Sequence, residues 1–348
     1  MQQTAPIILI DAYSQIFRVF YAIAHLSRGD GFPTNALFGF ARLLLQIEKE
    51  YAPASGAMFF DCGKPAFRLE LAPGYKSNRP PMPEELKQQM PLLRELAGLF
   101  GWNICECSNY EADDLIGAAV GSLGERQFAI ISSDKDLSQL IDDHAFMLIP
   151  ARSGGGFEVR DAAKTREKFA VEPSQIVDYL AMLGDASDAI EGVAGIGPKT
   201  AANILQSAGS LEKFFAEPEL VANPKLRSKL LENASLLERN VKLISLRTQW
   251  PESGVDPVEK VLQKKAPDWS KIAEFARLYE LKSVLKDLPV AAAEKVVPEK
   301  KSAAAEEIAA ADGKSDAEDD LFSWGASRQA KSPEEGSAPA APVQGSLF

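Results

Sequence analysis

Three short apolar runs, each leading directly into an aspartate, restrict the fold of this chain more than any other feature. The runs and their aspartates are residues 5–10 with Asp11, residues 56–60 with Asp61, and residues 128–133 with Asp134. Short apolar runs of this kind are typical of strands that are buried on both faces of a sheet. Helix-period segments lie between them at residues 36–50 and 84–100. The alternation predicts an α/β domain with a mostly parallel sheet.

The position of these aspartates predicts a shared site. Open parallel sheets bind ligands beyond the carboxyl ends of their strands, so Asp11, Asp61 and Asp134 are expected to meet at one edge, with Asp136 close by. Each aspartate taken alone is equally well explained as a helix cap. Because three strand ends carry one, the pattern favours a common acidic site over separate caps.

A further acidic feature lies in residues 109–117 (NYEADDLIG), where Glu111, Asp113 and Asp114 fall close together at the start of an apolar helix. Carboxylates at this spacing repel one another unless a cation neutralises them, and hard divalent metal ions take such oxygen ligands. The alternative is a purely structural acidic helix N-terminus. The motif alone leaves both explanations open.

The segment of residues 62–91 differs from its surroundings because it combines prolines with positive charge. Its basic residues include Lys64, Arg68, Lys76 and Arg79. This composition predicts an exposed, positively charged connection, and the neighbouring Tyr75 suits stacking on unpaired bases. A solvated loop without function is the alternative, although long loops beside a candidate site are more often functional.

From about Pro173 onward, helical patterns replace the strand signal. Residues 184–205 (GDASDAIEGVAGIGPKTAANIL) contain two aspartates and then a glycine-rich turn: Asp185, Asp188, Gly192, Gly195 and Gly197. Such a turn can hold a phosphate on backbone N–H groups and a helix N-terminus without reading base sequence, and Lys199 adds a positive charge. A simple tight turn is the alternative. Helices over residues 225–248 and 269–285 are expected to pack behind the turn.

Composition excludes several other classes of site. Three cysteines have neither the number nor the spacing for a structural zinc site or a disulfide framework, and two histidines leave carboxylates, lysine and arginine to carry any chemistry. No signal peptide and no apolar run long enough for a membrane span is present, so we expect a cytoplasmic protein. The formal net charge is −11, but metal ions bound by the acidic residues would offset much of this negative charge. A DNA partner is therefore not excluded.

Beyond Leu288 the composition shifts to Ala, Glu, Lys, Pro, Ser and Asp, with few aromatic residues. Such a composition is typical of a disordered tail. Residues 344–348 (QGSLF) nevertheless place an apolar pair on this polar tether, which suits docking into a groove of a partner protein. A second apolar group in the tail, Leu321, Phe322 and Trp324, has no explanation from the sequence.

Taken in order, these motifs resemble the bacterial 5′-3′ exonuclease or flap endonuclease family, which includes the N-terminal nuclease domain of DNA polymerase I. The likeness covers about residues 7–288 and rests on ILIDAYSQIFRVFYA, FFDCGKPAFR, GYKSNRPPMP, NYEADDLIG, ISSDKDLSQLI and GDASDAIEGVAGIGPKTA. It implies a PIN-like α/β catalytic domain with a helical arch over residues 1–172. A helix-three-turn-helix (helix-hairpin-helix) DNA-binding module over residues 173–288 and a disordered tail over residues 289–348 would follow.

The resemblance also implies roles for individual residues. Two divalent ions, Mg²⁺ or Mn²⁺, would be held by nine acids, with Asp11, Asp61, Glu111, Asp113 and Asp114 at the first site and Asp134, Asp136, Asp185 and Asp188 at the second. Lys76 and Arg79 would engage the scissile phosphate. The implied DNA-binding residues are Arg18, Tyr75, Gly192, Gly195, Gly197, Lys199 and Thr200. The hairpin would also accept a potassium ion.

The implied activity is structure-specific hydrolysis of DNA at 5′ ends and 5′ flaps, in DNA replication and repair and in RNA primer removal. No polymerase region follows, so we expect a monomeric, stand-alone nuclease at the nucleoid. Ala189 stands where the family has Asn, and Glu191 adds negative charge near the hairpin, so we expect weaker DNA affinity.

Two alternatives to this activity are a non-catalytic, structure-specific DNA-binding protein, which Ala189 favours, and a PIN-type ribonuclease, which the glycine hairpin opposes. In the tail, the resemblance extends to a further partner. Gln344, Leu347 and Phe348 match the type of peptide that binds the bacterial sliding clamp.

Overall fold

The computed structural model describes residues 5–23, 25–151 and 155–289. A six-stranded sheet forms the centre of the first domain, in the order β3-β2-β1-β4-β5-β6. Its strands are β1 (Ile7–Asp11), β2 (Gly56–Phe59), β3 (Asn103–Cys105), β4 (Phe128–Ile131), β5 (Ala145–Pro150) and β6 (Phe157–Arg160). All neighbouring strands are parallel except the antiparallel pair of β5 and β6. The predicted mostly parallel sheet is therefore confirmed.

Helices surround the sheet, and further helices later in the chain form a second, helical module. They are α1 (Ala12–Ala22), α2 (Asn35–Tyr51), α3 (Ala66–Leu71), α4 (Glu84–Lys87), α5 (Met90–Leu99), α6 (Ala112–Leu123), α7 (Ala162–Phe169), α8 (Ile176–Leu183), α9 (Pro198–Ala208), α10 (Leu211–Ala216), α11 (Pro224–Glu232), α12 (Ala234–Ile244), α13 (Val258–Val261), α14 (Trp269–Leu278) and α15 (Lys282–Asp287). Short 3-10 helices lie at Asp136–Leu140, Pro173–Gln175, Ala186–Asp188 and Pro218–Leu220. Two-residue strands β7 (Gly184–Asp185) and β8 (Ile190–Glu191) pair as an antiparallel hairpin.

The side chains of the central strands alternate between two apolar cores. Ile8 and Ile10 of β1 belong to one buried cluster, which α1, α2 and α5 cover, whereas Ile7 and Leu9 belong to the cluster under α6. Alternation follows from the period of two residues along a strand. Because both faces are covered by helices, the strands read in the sequence as continuous apolar runs.

The sequence analysis missed three strands, β3, β5 and β6. β3 has only three residues and β6 has exposed residues at Glu158 and Val159, so neither gives the apolar run of a buried strand. β5 is more apolar, but it lies at the far side of β4 and is followed by the polar edge strand β6. The order of these strands is set by tertiary pairing rather than by local pattern.

The predicted arch is present as α3 and α4, which lie between β2 and α5. The helix expected over residues 84–100 is divided into α4 and α5 at Gln89. The Gln89 side chain is fully buried, where its Oε1 accepts from the N–H of Leu37 at 3.1 Å and its Nε2 donates to Asn35 Oδ1 at 3.0 Å. These bonds join the base of the arch to α2.

The helical module has its own apolar core. Val193 and Ile196 of the glycine-rich turn pack in it with residues of α8, α9 and α12, including Leu237. The helix expected over residues 225–248 is two helices, α11 and α12, separated at Asn233. The predicted helical module with a glycine hairpin is thus confirmed, with the turn packed against helices on one side and open on the other.

The expectation that residues 269–285 pack behind the hairpin is wrong. These residues form α14 and α15, whose apolar faces join the cluster that contains α1, α2 and α5 of the first domain. The segment between α13 and α14, residues 262–268, is called the strap. It is fixed by the ion pair of Lys264 Nζ with Glu48 Oε1 at 2.8 Å and by the bond from the Lys265 N–H to Gly101 O at 2.8 Å. The chain therefore returns to the sheet domain after crossing the helical module.

In the three described ranges, no helix combines the length and apolarity needed to cross a bilayer. The predicted disordered tail and the clamp-binding residues lie outside the described residues. The proposed domain limits at residues 172 and 288 stay predictions.

The strap predicts a stability difference between two glycines. Gly101 has φ +81°, and a Cβ atom there would lie 2.0 Å from the Lys265 carbonyl oxygen, whereas Gly98, inside α5, faces open space. Gly101→Ala is expected to lower the free energy of unfolding by about 2 kcal/mol or more, because strained backbone and steric clash add. That loss corresponds to a melting temperature lower by about 4–8 °C.

Gly98→Ala is the matched control and is expected to leave stability unchanged or to raise it by up to about 1 kcal/mol, since alanine favours a helix over glycine. Thermal and urea unfolding of both variants, followed by circular dichroism, make the comparison. Equal melting temperatures for the two variants would contradict the close contact between α5 and the strap.

Candidate metal centre

The strand-end acids converge at the carboxyl edge of the sheet. Asp11, Asp61, Asp113 and Asp134 line one crevice, together with Lys76 and Arg79 from the arch. We call this the acidic crevice. Its walls also include the aromatic rings of Tyr13 and Phe17 from α1. The arrangement is the one that the parallel sheet and the strand-end aspartates imply.

Several of these acids are also helix caps. Asp11 Oδ1 accepts from the Ser14 N–H at 3.2 Å at the start of α1, and Asp61 Oδ1 accepts from the Ala112 N–H at 2.6 Å at the start of α6. The second oxygen of Asp11 accepts from Ser132 Oγ at 2.8 Å. The same side chains therefore cap helices and line the crevice, and the caps fix the carboxylates in position.

The first acid cluster consists of Glu111, Asp113 and Asp114, whose carboxylate oxygens lie within 4.8 Å of one another. Glu111 and Asp114 form a capping box at the start of α6. Arg68, only 1 % exposed, donates from Nη1 to Glu111 Oε2 and to Asp114 Oδ2 at 2.6 Å each, and from Nη2 to Asp114 Oδ1 at 2.8 Å. Asp114 thus uses both oxygens as the counter-ion of Arg68.

The second acid cluster consists of Asp136, Asp185 and Asp188, again with oxygens within 4.8 Å of one another. Asp185 and Asp188 flank the short turn between β7 and β8, which brings the helical module to the edge of the sheet domain. Asp188 pairs with Arg79, and Asp185 pairs with Lys135. The two clusters thus draw on the sheet, the arch and the helical module.

Burial and mutual repulsion raise the pKa of several of these acids. Burial, followed by the charges of Asp61 and Asp134, raises the pKa of Asp11 to about 7. Burial and the charge of Asp134 likewise raise the pKa of Asp136 to about 7, and burial is the main cause that raises the pKa of Asp61 to about 6. These carboxylates lack sufficient positive charge around them.

The donor set fits hard divalent cations. Such ions take carboxylate oxygens as ligands, and a divalent charge would relieve the repulsion that raises these pKa values. In the described part of the chain, Asp136 Oδ1 is buried and accepts no hydrogen bond, although Lys135 Nζ lies 3.5 Å away. A buried carboxylate oxygen without a hydrogen bond is a group that a metal ion would satisfy.

The structure does not present Tyr75 for base stacking. Its side chain is 3 % exposed, packs in the core of the helical module and donates from its hydroxyl to Glu111 Oε2 at 2.9 Å. Lys76 is also buried, with Nζ 2.5 Å from Glu111 Oε1. The expectation of an exposed, positively charged connection is thus wrong at Arg68 and Lys76, which are buried against the acids. The base-stacking role of Tyr75 stays a prediction.

The implied DNA-binding residues of the hairpin do not line the acidic crevice, and most of them are exposed. Gly195 has φ +77° and is exposed, Gly197 precedes α9, and Lys199 is exposed in its first turn with Thr200 beside it. Gly192 is the packed member, because a Cβ atom there would lie 2.1 Å from the Leu183 carbonyl oxygen. A potassium ion at this turn stays a prediction.

The first helix and the turn after the second acid cluster carry the remaining sequence expectations. Arg18 is half-buried on α1, where its Nε donates to Gln15 Oε1 at 3.2 Å. Ala189 has φ +55°, in the left-handed region. Asn adopts this region more readily than Ala, so the missing Asn has a conformational consequence as well as a chemical one.

Two residues that support the hairpin were missed by sequence reasoning. Asn240 is fully buried on α12, and its Nδ2 donates to Ala181 O at 3.0 Å and to Glu191 O at 2.7 Å. Lys229 on α11 donates from Nζ to Ala194 O at 2.8 Å. Neither lies in a glycine or acid motif, and only the long-range fold brings them to the turn.

Two basic residues that pair with the acids were also not predicted from the sequence to belong to the site. Arg68 and Lys135 occur inside the motifs FFDCGKPAFR and ISSDKDLSQLI, but nothing local shows that they pair with acids far along the chain. A count of acids against available cations is the signal that could have found them, because buried carboxylates need counter-charges.

Two protein-family models match this chain. Residues 6–170 match the model for the 5′-3′ exonuclease N-terminal resolvase-like domain, and residues 171–270 match that for the 5′-3′ exonuclease C-terminal SAM fold. The 5′-3′ exonuclease of Aquifex aeolicus is 35 % identical over 282 residues, which cover 80 % of this chain and 94 % of that protein. The DNA polymerase I of Bacillus caldotenax is 36 % identical over 247 residues, but these are 70 % of this chain and only 28 % of the polymerase.

Among solved structures, a flap endonuclease of bacteriophage T5, described as a pseudo-enzyme-product complex with DNA and metal ions, has the same fold. It superposes with a TM-score of 0.57 and 22 % identity, covering 81 % of this chain and 98 % of that one.

The raised pKa values predict how stability of the metal-free protein depends on pH. Asp11, Asp61 and Asp136 keep their protons in the folded state up to pH of about 6–7, whereas in the unfolded chain they lose them near 3.8. The folded state therefore binds more protons between these values, so its stability falls as pH rises from 5 to 8. Melting temperatures measured in EDTA across this range test the fall.

Asp11→Asn is expected to reduce the slope and to raise the melting temperature at pH 8, by about 2–4 °C for each kcal/mol recovered. Asn removes the titration but can still cap Ser14. Asp30→Asn is the control, since hydrogen bonding to Arg28 lowers the pKa of Asp30 to about 2, below the range. Stability that rises toward pH 8 in EDTA would contradict the prediction.

Proposed function

The chain belongs to the 5′-3′ exonuclease family, and on that basis we propose that it is a structure-specific 5′-nuclease that hydrolyses DNA at 5′ ends and 5′ flaps. The observation that carries the proposal is the acidic crevice, in which four carboxylates from separate parts of the chain meet Lys76 and Arg79. A helix-capping role alone would not gather basic arch residues at the same place. The alignment with the exonuclease of Aquifex aeolicus covers nearly all of that protein.

Two divalent ions, Mg²⁺ or Mn²⁺, are the proposed cofactors. The first acid cluster with Asp11 and Asp61 would hold one ion, and the second acid cluster with Asp134 would hold the other. Bound metal supplies an activated water nucleophile and stabilises the charge on the attacking and leaving oxygens. Asp114 would support the first ion indirectly, since both of its oxygens accept from Arg68.

The arch residues act on the phosphate. Lys76 and Arg79 line the acidic crevice, which supports the proposal that their charges bind the scissile phosphate and stabilise the negative charge that develops in the transition state. Tyr13 and Phe17 form an apolar wall beside the acids, which limits the access of bulk water. The proposed roles of Lys76 and Arg79 are therefore binding and charge stabilisation.

The hairpin binds the duplex beside the cleaved strand. The backbone N–H groups around Gly195 and Gly197, with Lys199, would contact phosphates rather than base edges. Sequence preference is accordingly small, and the 5′ end or flap junction sets the position of the cut. Exposed Glu191 at the start of the hairpin opposes phosphate contact and lowers affinity.

Cleavage of a 5′-labelled flap duplex in Mg²⁺, resolved on a denaturing gel, tests the proposal. The wild-type protein is expected to release a short product cut near the flap junction. Asp134→Ala is expected to lower the rate by at least about 100-fold, because a proposed metal ligand is lost, while binding of the duplex by fluorescence anisotropy in Ca²⁺ persists.

Asp143→Ala is the matched control, because it removes the same charge from an exposed position and is expected to cleave like the wild type. Cleavage that survives in Asp134→Ala would overturn the two-metal assignment. Binding without any cleavage by the folded wild-type protein would favour a non-catalytic DNA-binding protein, for which Ala189 is the first residue to restore to Asn.

We also propose that residues 344–348 bind a bacterial sliding clamp, with Gln344, Leu347 and Phe348 as the contacts. A peptide of this type on a polar tether keeps the nuclease near the DNA on which the clamp is loaded. Replacing Leu347 and Phe348 by alanine is expected to weaken binding to purified clamp by at least about tenfold in surface plasmon resonance, while flap cleavage without clamp is unchanged. Equal clamp binding by both proteins would exclude this contact.

A further inference from the structure

Three acids of the two acid clusters, Glu111, Asp185 and Asp188, are paired with the chain's own basic side chains. Lys76 Nζ lies 2.5 Å from Glu111 Oε1, and Arg79 and Lys135 form ion pairs with Asp188 and Asp185. Each acid cluster is therefore paired with one cation of residues 76–79, and each has a further cation, Arg68 at the first cluster and Lys135 at the second. Carboxylates buried this deeply need such counter-charges when no metal ion is bound.

The turn that carries Lys76 and Arg79 is held down over the acids, and we call residues 75–79 the arch turn. The Lys76 N–H donates to Asp188 O at 3.0 Å, Tyr75 donates to Glu111, and Asn78 Nδ2 donates to Ala186 O at 2.5 Å. Lys76 itself has φ +53°, a conformation that side-chain-bearing residues rarely adopt. The arch turn thus contacts both acid clusters at once and keeps a strained backbone while it does so.

The ion pairs conflict with the two ligands that the proposed function requires. A divalent ion at Glu111 Oε1 would repel the Lys76 ammonium that is paired with the same oxygen, and an ion at Asp188 would likewise repel Arg79. Lys76 and Arg79, in turn, cannot hold the carboxylates and a DNA phosphate with the same N–H groups. A phosphate is an alternative anion for these cations, and a metal ion is an alternative cation for the acids.

On the basis of the proposed function, we propose that Lys76 and Arg79 are counter-ions that exchange the acids for a DNA phosphate. This exchange would couple the binding of metal to the binding of DNA. A DNA phosphate draws the two side chains away from Glu111 and Asp188 and so raises the affinity of the acids for divalent ions. Divalent ions, by the same exchange, release the arch cations for phosphate. The two effects are equal in free energy, because coupling between binding sites is reciprocal.

Arg68 and Lys135 differ from the exchangeable pair. Arg68 donates to Leu243 O at 3.0 Å and to both oxygens of Asp114, so it is tied to a backbone carbonyl of α12 as well as to the acids. Lys135 pairs with the second acid cluster from the sheet domain rather than from the arch. Its removal changes the charge at the acids without removing an arch cation, which makes it a matched control.

A binding cycle with the full-length protein, Ca²⁺ and a 5′-flap duplex tests the coupling. Calorimetry gives the dissociation constant of Ca²⁺ with and without saturating duplex, and anisotropy gives that of the duplex with and without Ca²⁺, with intact DNA verified on a gel. For the wild type, each ligand is expected to tighten the other by about fivefold or more. Lys76→Met with Arg79→Gln is expected to bind Ca²⁺ several-fold more tightly without DNA and to show a clearly smaller tightening by DNA.

Lys135→Met is expected to bind Ca²⁺ more tightly without DNA but to keep the wild-type coupling. If the double variant binds Ca²⁺ no more tightly than the wild type, or keeps the full coupling, the proposal is overturned. Should the double variant not fold by circular dichroism, Lys76→Met alone is measured against the same criteria. Flap cleavage by the wild type in Mg²⁺ is scored separately, so loss of coupling in an active nuclease removes this proposal alone.

Discussion

The buried ion network of Arg68 is the interaction on which the rest of the site depends. One guanidinium from α3 pairs with Glu111 and Asp114 at the start of α6 and also donates to Leu243 O at the end of α12. Removing one partner of such a network costs far more than the network contributes to stability, because an uncompensated charge remains buried. Arg68 therefore joins the arch, the acidic helix start and the helical module in one buried network, and the acidic crevice is formed where they meet.

Capping and metal binding are not competing explanations in this fold. Asp11 caps α1, Asp61 accepts from the first turn of α6, and Glu111 takes part in a capping box, yet Asp11 and Asp61 line the acidic crevice and Glu111 belongs to the first acid cluster. A cap uses one oxygen of a carboxylate and leaves the other for a further partner. The same bonds that satisfy helix N–H groups hold the candidate ligands in position, so these carboxylates are already oriented before any ion binds.

The sequence was sufficient to predict features that depend on neighbouring residues, and insufficient to predict features that depend on residues far apart in the chain. Apolar runs ending in Asp11, Asp61 and Asp134 identify buried parallel strands and the edge at which they end, because both properties depend on neighbouring residues. The inward orientation of Tyr75 and Lys76 depends on Glu111, more than thirty positions away, and the proline-rich composition around them indicates exposure instead. The packing of α14 on the first domain was missed for the same reason, since an amphipathic helix does not specify which core its apolar face will join.

Positive charge is distributed unevenly among the candidate metal ligands, so the repulsion that a divalent ion would relieve differs from one carboxylate to the next. Glu111, Asp185 and Asp188 have cations within ion-pair distance, and for Asp185 the pair with Lys135 and the bonds from Ser187 outweigh burial, so that its pKa lies below the ordinary value. For Asp11 and Asp113, burial and neighbouring acids prevail instead and raise the pKa of each. The internal cations thus allow the chain to fold around most of its acids without metal. The remaining repulsion is concentrated on the carboxylates that line the crevice, where a proton or a divalent ion would relieve it.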